Sequence, residues 1–117
     1  MSFTISKRFD FSASHQLEGL PEHHQCSRLH GHNYSVFIIL IGEINKTGFV
    51  KDYGELDNVK IWLNENVEHK HLNEVFTFNP TAELIAQYLF NIFKNEYPQL
   101  KSVTVKETDK TSATYEP

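Results

Sequence analysis

The sequence predicts an α+β fold in which two helices cover one face of an antiparallel sheet. Apolar and polar residues alternate from Phe3 onward and again between Leu100 and Thr108, which is the period of a β-strand. Between these stretches, apolar residues recur at intervals of three and four, which is the period of an amphipathic helix. The predicted order of elements is β-β-β-α-α-β-β, and the turn-like segment after the second strand favours antiparallel pairing.

Three strands are predicted in the first half of the chain. The first begins at Phe3 and places His15 on its apolar face. The second runs from about His30 to Gly42, and apolar residues on both of its faces near the far end predict that both faces are covered there. A turn then leads into a short strand from Phe49 to Tyr53, which predicts a hairpin.

Two helices are predicted in the second half. The first extends from roughly Glu55 to Val67 and is followed by a polar loop from Glu68 to Phe78. The second has Asn79 as its N-cap and Pro80 at its first helical position, and its apolar stripe ends before Pro98.

The chain finishes with a strand from Leu100 to Thr108 and a short edge strand from Ala113 to Tyr115. The first of these places Glu107 at the end of an apolar row. A carboxylate on an apolar face needs a partner, and a ligand with a guanidine-like edge supplies paired N–H donors. Glu107 is therefore a candidate ligand anchor, the alternative being a strand-end carboxylate that points into water.

Size and charge restrict the class of protein. A chain of 117 residues with 39% hydrophobic residues has the size of a single compact domain, residues 1–117. A formal net charge of −4 argues against a nucleic-acid or anionic-membrane binder. The lone cysteine cannot form an intramolecular disulfide, and no apolar run is long enough to cross a bilayer. We expect a soluble, cytoplasmic protein.

Histidines at alternate positions indicate a metal site. His30 and His32 project from the same strand face with Cβ atoms about 6–7 Å apart. His15 occupies the apolar face of the neighbouring strand, so three imidazoles can converge on one zinc ion. Three histidines with an open fourth position are typical of catalytic zinc, whereas the alternative is that the strand histidines are satisfied by backbone hydrogen bonds.

Cys26 lies four residues before His30 and has two possible roles. It either completes a closed structural zinc site or acts as a reactive thiolate beside an open one. Structural sites usually contain more cysteine, which favours the reactive role. His69 is a candidate acid/base partner because imidazole commonly serves that role, although spacing alone does not place it near Cys26.

Other polar residues near these motifs have simpler interpretations. His71 is interpreted as a solvated or structural loop residue. Thr81 and Glu83, close to the start of the second helix, satisfy the helix end or contact a ligand, and the helix-end interpretation is favoured.

Six short blocks of the chain together resemble the 6-pyruvoyltetrahydropterin and 6-carboxytetrahydropterin synthase family. The resemblance covers nearly the whole chain, as one pterin synthase domain. The blocks are Phe11–His15, Cys26 with His30–His32, Gly48–Tyr53, Glu68–His69 with Leu72–Asn73, Asn79–Glu83, and Val105–Thr108.

This resemblance implies a tunnelling fold, in which subunits join their sheets into a trimeric barrel and two trimers usually stack into a hexamer. It implies zinc (Zn2+) bound by His15, His30 and His32. Cys26 matches the catalytic cysteine, His69 matches its relay histidine, and Glu107 matches the carboxylate that anchors the pterin. Thr81 and Glu83 match two further positions near the pterin. Glu68 stands where the family usually has aspartate, so its orienting role is expected with a side chain one methylene longer.

The resemblance also implies a lyase acting on a small pterin triphosphate, 7,8-dihydroneopterin triphosphate. Only three residues separate Cys26 from His30, which is similar to the bacterial carboxytetrahydropterin synthases of queuosine biosynthesis. Those enzymes form 6-carboxytetrahydropterin and release acetaldehyde and triphosphate. The alternatives are triphosphate elimination to the 6-pyruvoyl product and a non-catalytic binding module stabilised by zinc.

Overall fold

The computed structural model describes all 117 residues and contains a four-stranded sheet in the order β1-β2-β3-β4, with each neighbouring pair antiparallel. This confirms the predicted α+β class. The elements are β1 Phe3–His15, β2 His30–Gly42, α1 Asp57–Asn66, α2 Leu72–Val75, α3 Ala82–Phe93, β3 Leu100–Thr108 and β4 Thr111–Tyr115. Short 3-10 turns lie at Gln25–Ser27 and Tyr53–Leu56.

The core lies between one face of the sheet and the helices. Alternate residues of the strands, such as Val36 and Val103, are fully buried, as are Val59 of α1 and Leu89 of α3. All belong to one cluster of buried hydrophobic residues. Burial of apolar area against the helices therefore fixes which strand face points inward, because a shift of one residue would turn every side chain over.

The register of the strands places the histidines at one end of the sheet. His15 pairs with His30 and Ala13 pairs with His32 across β1 and β2. Directly paired residues on antiparallel strands point to the same face. The side chains of His15, His30 and His32 therefore share the inward face.

The predicted strand from Phe49 to Tyr53 is wrong, and the order of elements is β-β-α-α-α-β-β. Asn45 closes a local turn instead. Its Oδ1 accepts hydrogen bonds from the N–H groups of Thr47 and Phe49 at 2.9 and 3.0 Å, and its own N–H donates to the Phe49 carbonyl at 2.8 Å. These local bonds satisfy the backbone without a strand partner.

The helix boundaries differ from the prediction at their N-terminal ends. The first helix has a 3-10 turn before α1. Thr81, not Asn79, caps α3, since its hydroxyl accepts a hydrogen bond from the Leu84 N–H at 3.2 Å. Asn79 instead binds the backbone of Glu18 through both of its side-chain polar groups. The predicted polar loop before α3 also contains the short helix α2.

The outer face of β2 is not covered within one chain, contrary to the prediction that both faces are covered at its far end. Phe37 and Ile39 are only partly buried, and Ile41 is 37% exposed. The reason is that the helices pack on the opposite face of the sheet. None of these helices combines the length and apolar character that a membrane crossing requires.

Candidate metal centre

Four side chains from three strands converge at the end of the sheet. The ligand atoms of His15, His30, His32 and Glu107 all lie within 4.8 Å of one another. The Nε2 atoms of His15 and His30 are 2.8 Å apart. An oxygen of Glu107 lies 2.9 Å from Nε2 of His32 and 3.5 Å from Nε2 of His15. We call these four residues the metal group.

Backbone carbonyls determine which nitrogens of two of these rings carry hydrogen. Nδ1 of His15 lies 2.8 Å from the Pro80 carbonyl oxygen, and Nδ1 of His30 lies 2.7 Å from that of Arg28. A carbonyl oxygen only accepts, so each Nδ1 must be the donor, and in a neutral ring Nε2 then has a lone pair. Two lone pairs that face each other at 2.8 Å repel unless a cation lies near both.

Burial favours the neutral, ligating form of two of these rings, His15 and His32. Desolvation is the largest cause that lowers the pKa of His15 and of His32, and the charge of Glu107 opposes it in both cases. Nε2 of His32 is buried and has no hydrogen-bond partner, because the nearby carboxylate lies outside hydrogen-bond geometry. Three imidazoles form a donor set that suits zinc with an open fourth position, so these residues fit the metal that the resemblance implies.

Glu107 belongs to the metal group, which its position in the sequence does not reveal. It was predicted as a ligand anchor because it ends an apolar row on β3. Its distance from His32 depends on the pairing of β2 with β3, and no pattern within one strand shows that pairing. Glu107 also lines two cavities, of about 360 and about 400 Å³, so its carboxylate remains accessible to a ligand.

Cys26 lies beside the metal group without belonging to it. The residue is partly buried in the 3-10 turn Gln25–Ser27 and lines the cavity of about 360 Å³ together with His30, His32 and Glu107. The group that can hold a metal ion contains no sulfur. This arrangement favours a thiol beside an open metal site over a thiol that closes it.

Glu68 and His69 lie on the outer edge of β1 and do not line the cavity of Cys26. The His69 N–H donates to the Ser12 carbonyl at 2.7 Å, and a Glu68 carboxylate oxygen accepts from the Ser12 N–H at 3.0 Å. The same oxygen is 3.4 Å from Nε2 of His69, whose side chain is 82% exposed. His69 also has a φ of 59°, which is rare for a residue other than glycine.

The remaining candidates occupy positions around α3 and β1. Thr81 caps α3, in keeping with its helix-end interpretation. Glu83 lines the cavity of about 400 Å³ together with Glu107. His71 is partly buried, with Nδ1 3.0 Å from the Ser14 hydroxyl. The carbonyls of Pro80 and Arg28 were missed altogether, because backbone groups leave no signal in side-chain patterns.

We predict that zinc raises the melting temperature of the protein through the metal group. A ligand that binds only the folded state at about 100 times its Kd stabilises by about 2.7 kcal/mol. Chelation should therefore lower the melting temperature of the zinc-loaded protein, measured by calorimetry, and His30→Ala should remove this response. His23→Ala, an exposed loop histidine, is the matched control and should keep it. An unchanged response in His30→Ala would contradict the assignment.

Comparisons with known proteins identify the family of the chain. A family model described as 6-pyruvoyl tetrahydropterin synthase matches residues 4–117. The chain is 33% identical to the 6-carboxy-5,6,7,8-tetrahydropterin synthase of Synechocystis sp., over 95% of this chain and 91% of that protein. It is 31% identical to the dihydroneopterin monophosphate aldolase of Pyrococcus furiosus, over 84% and 81%. The solved 6-pyruvoyl tetrahydropterin synthase of Caenorhabditis elegans superposes with a TM-score of 0.87 at 30% identity, over 100% of this chain and 96% of that one. The chain belongs to the 6-pyruvoyl tetrahydropterin synthase family.

Proposed function

We propose that the chain is a zinc-dependent 6-carboxytetrahydropterin synthase of queuosine biosynthesis. It converts 7,8-dihydroneopterin triphosphate and one water molecule to 6-carboxy-5,6,7,8-tetrahydropterin, with release of acetaldehyde and triphosphate. The observation that carries the proposal is the shared cavity in which Cys26 lies beside His30, His32 and Glu107. The short Cys26-to-His30 connection and the similarity to the Synechocystis synthase favour the carboxy product.

The metal group supplies the first part of the mechanism. His15, His30 and His32 hold the zinc ion, and Glu107 is left to accept N–H donors from the pterin ring. Bound zinc supplies Lewis-acid polarisation of oxygen atoms on the substrate side chain. The side chain of Glu107 is 25% exposed, so it faces both the histidines and the substrate cavity. Glu83 and Thr81, at the start of α3, lie near the pterin in this arrangement.

Cys26 supplies the second part by moving protons. Cys26 lines the cavity and is outside the metal group, so its thiolate is free to take a proton from the substrate side chain and, as a thiol, to return it. Such a role needs a partner that resets the thiol. His69, oriented by Glu68, is the candidate partner.

Cys26 and His69 meet between subunits in this proposal. His69 is exposed and lies on the outer edge of β1, away from the residues that line the cavity of its own chain. The two outer strands of the sheet are β1 and β4. Ser12 and Ser14 of β1 are already hydrogen-bonded to residues 68–70 of the same chain, so the earlier part of β1 and the whole of β4 are available for pairing with neighbouring chains. Joining these edges into the trimeric barrel would place an element of one subunit against the cavity of the next and cover the outer face of β2.

We predict the products from purified zinc protein incubated with 7,8-dihydroneopterin triphosphate. Mass spectrometry should detect 6-carboxytetrahydropterin, and a dehydrogenase-coupled assay should detect acetaldehyde at the same rate. Formation of the 6-pyruvoyl product without acetaldehyde would replace the proposal with the alternative reaction. Absence of any turnover, with zinc bound and the protein folded, would favour the non-catalytic module.

We predict that two inactive variants restore activity when their subunits are mixed. Cys26→Ala retains His69, and His69→Ala retains Cys26, so sites shared between subunits are intact in about a quarter of random pairings. Activity should therefore recover to that level after the subunits exchange.

A mixture of Cys26→Ala with His30→Ala is the matched control, because both residues line the cavity of one chain. That mixture should stay inactive. If native mass spectrometry shows exchanged oligomers and the Cys26→Ala and His69→Ala mixture remains inactive, the site is not shared.

A further inference from the structure

We propose that Asn73 and Asn79 are positioning residues that hold Cys26 at the metal group through the backbone of residues 16–18. This inference rests on the proposed function only in taking Cys26 as the reactive thiol. It concerns the segment that follows β1, for which the sheet provides no strand partner beyond His15.

Each asparagine satisfies both backbone groups of one residue in this segment. The Gln16 N–H donates to Oδ1 of Asn73 at 2.9 Å, and Nδ2 of Asn73 donates to the Gln16 carbonyl at 2.7 Å. Asn79 makes the same pair of bonds with Glu18, at 3.0 and 3.2 Å. A carboxamide carries one acceptor oxygen and N–H donors, so it replaces the peptide group of a missing strand.

The same segment also holds the turn that carries Cys26. The Leu17 N–H donates to the Cys26 carbonyl at 3.0 Å, and Nε2 of Gln16 donates to the Ser27 carbonyl at 2.8 Å. The other hydrogen bonds of the turn stay within its own loop, to residues between Glu22 and Arg28. Gln16 and Leu17 therefore provide the hydrogen bonds that connect this turn to the rest of the fold.

The asparagines link the position of the thiol to that of a metal ligand. Asn79 directly precedes Pro80, whose carbonyl accepts the hydrogen bond from Nδ1 of His15. Gln16 directly follows His15. The connection before α3 thus orients the His15 imidazole through the Pro80 carbonyl and supports the Cys26 turn through the Asn79 side chain. A displacement of about 1 Å at such a site is costly for catalysis.

Asn73→Asp and Asn79→Asp test the proposal, because each keeps the acceptor oxygen and the side-chain size while it removes the Nδ2 donor. Cys26 is the only cysteine, so the rate of its alkylation by iodoacetamide reports on one site in the zinc-loaded protein. We expect alkylation about threefold faster, since the partly buried thiol becomes more accessible when its turn opens. We also expect kcat to fall about tenfold or more, with KM and zinc content little changed.

Asn91→Asp, on the exposed surface of α3, is the matched control for the added charge and should behave as wild type. Gln16→Ala tests the connection between residues 16–18 and the Cys26 turn without altering a buried side chain. It removes only the exposed side chain that binds the Ser27 carbonyl. It should also speed alkylation, with an unchanged melting temperature.

Wild-type alkylation rates in folded Asn73→Asp and Asn79→Asp would overturn the proposal. A fall in kcat that is fully accounted for by the fraction of unfolded protein would also overturn it. If these variants do not fold, Asn73→Ser and Asn79→Ser, which shorten the side chain without adding a charge, replace them in the same measurement. Alkylation requires no turnover. If the wild-type protein does not act on the pterin triphosphate but the asparagine variants are alkylated faster, this inference is supported although the proposed function fails.

Discussion

The facing Nε2 atoms of His15 and His30, 2.8 Å apart, are the contact on which the rest of the site depends. Their rings are oriented by backbone carbonyls from two different loops, and their strands are held in register by a core far larger than the site. In their neutral forms both rings present an Nε2 lone pair to the same place, so the fold holds two donors where a metal ion can bind both. This constraint explains why a buried histidine stands at the end of an otherwise apolar strand face.

The candidate functional residues differ in how firmly the fold holds them. Strands carry the metal group, whereas Cys26 lies on a turn that a few hydrogen bonds attach to the segment after β1. Glu68 and His69 lie on the outer edge of the sheet. The chain is similar both to a 6-carboxy-5,6,7,8-tetrahydropterin synthase and to a dihydroneopterin monophosphate aldolase, and loops on a constant scaffold are where reactions diverge. The turn around Cys26 is accordingly the part of the molecule in which we place the choice of reaction.

Local periodicity predicted much of the fold, because burial on one face imposes it directly. The bounds of β2 and β3 and the shared face of His30 and His32 follow from alternation. The prediction of a strand from Phe49 to Tyr53 was wrong because the Asn45 side chain supplies local hydrogen bonds, which residue propensities do not reveal.

The part of the site that the sequence did not reveal depends on contacts between elements that are distant along the chain. Asn79 has the residue type of an N-cap, yet it binds Glu18, 61 positions away. Glu107 approaches His32 only through the pairing of β2 with β3.

X-ray absorption spectroscopy at the zinc edge tests the central claim most directly. The account predicts three imidazole nitrogens at about 2.0–2.1 Å, completed by oxygen, whereas a sulfur ligand at about 2.3 Å would contradict it, because Cys26 would then close the site.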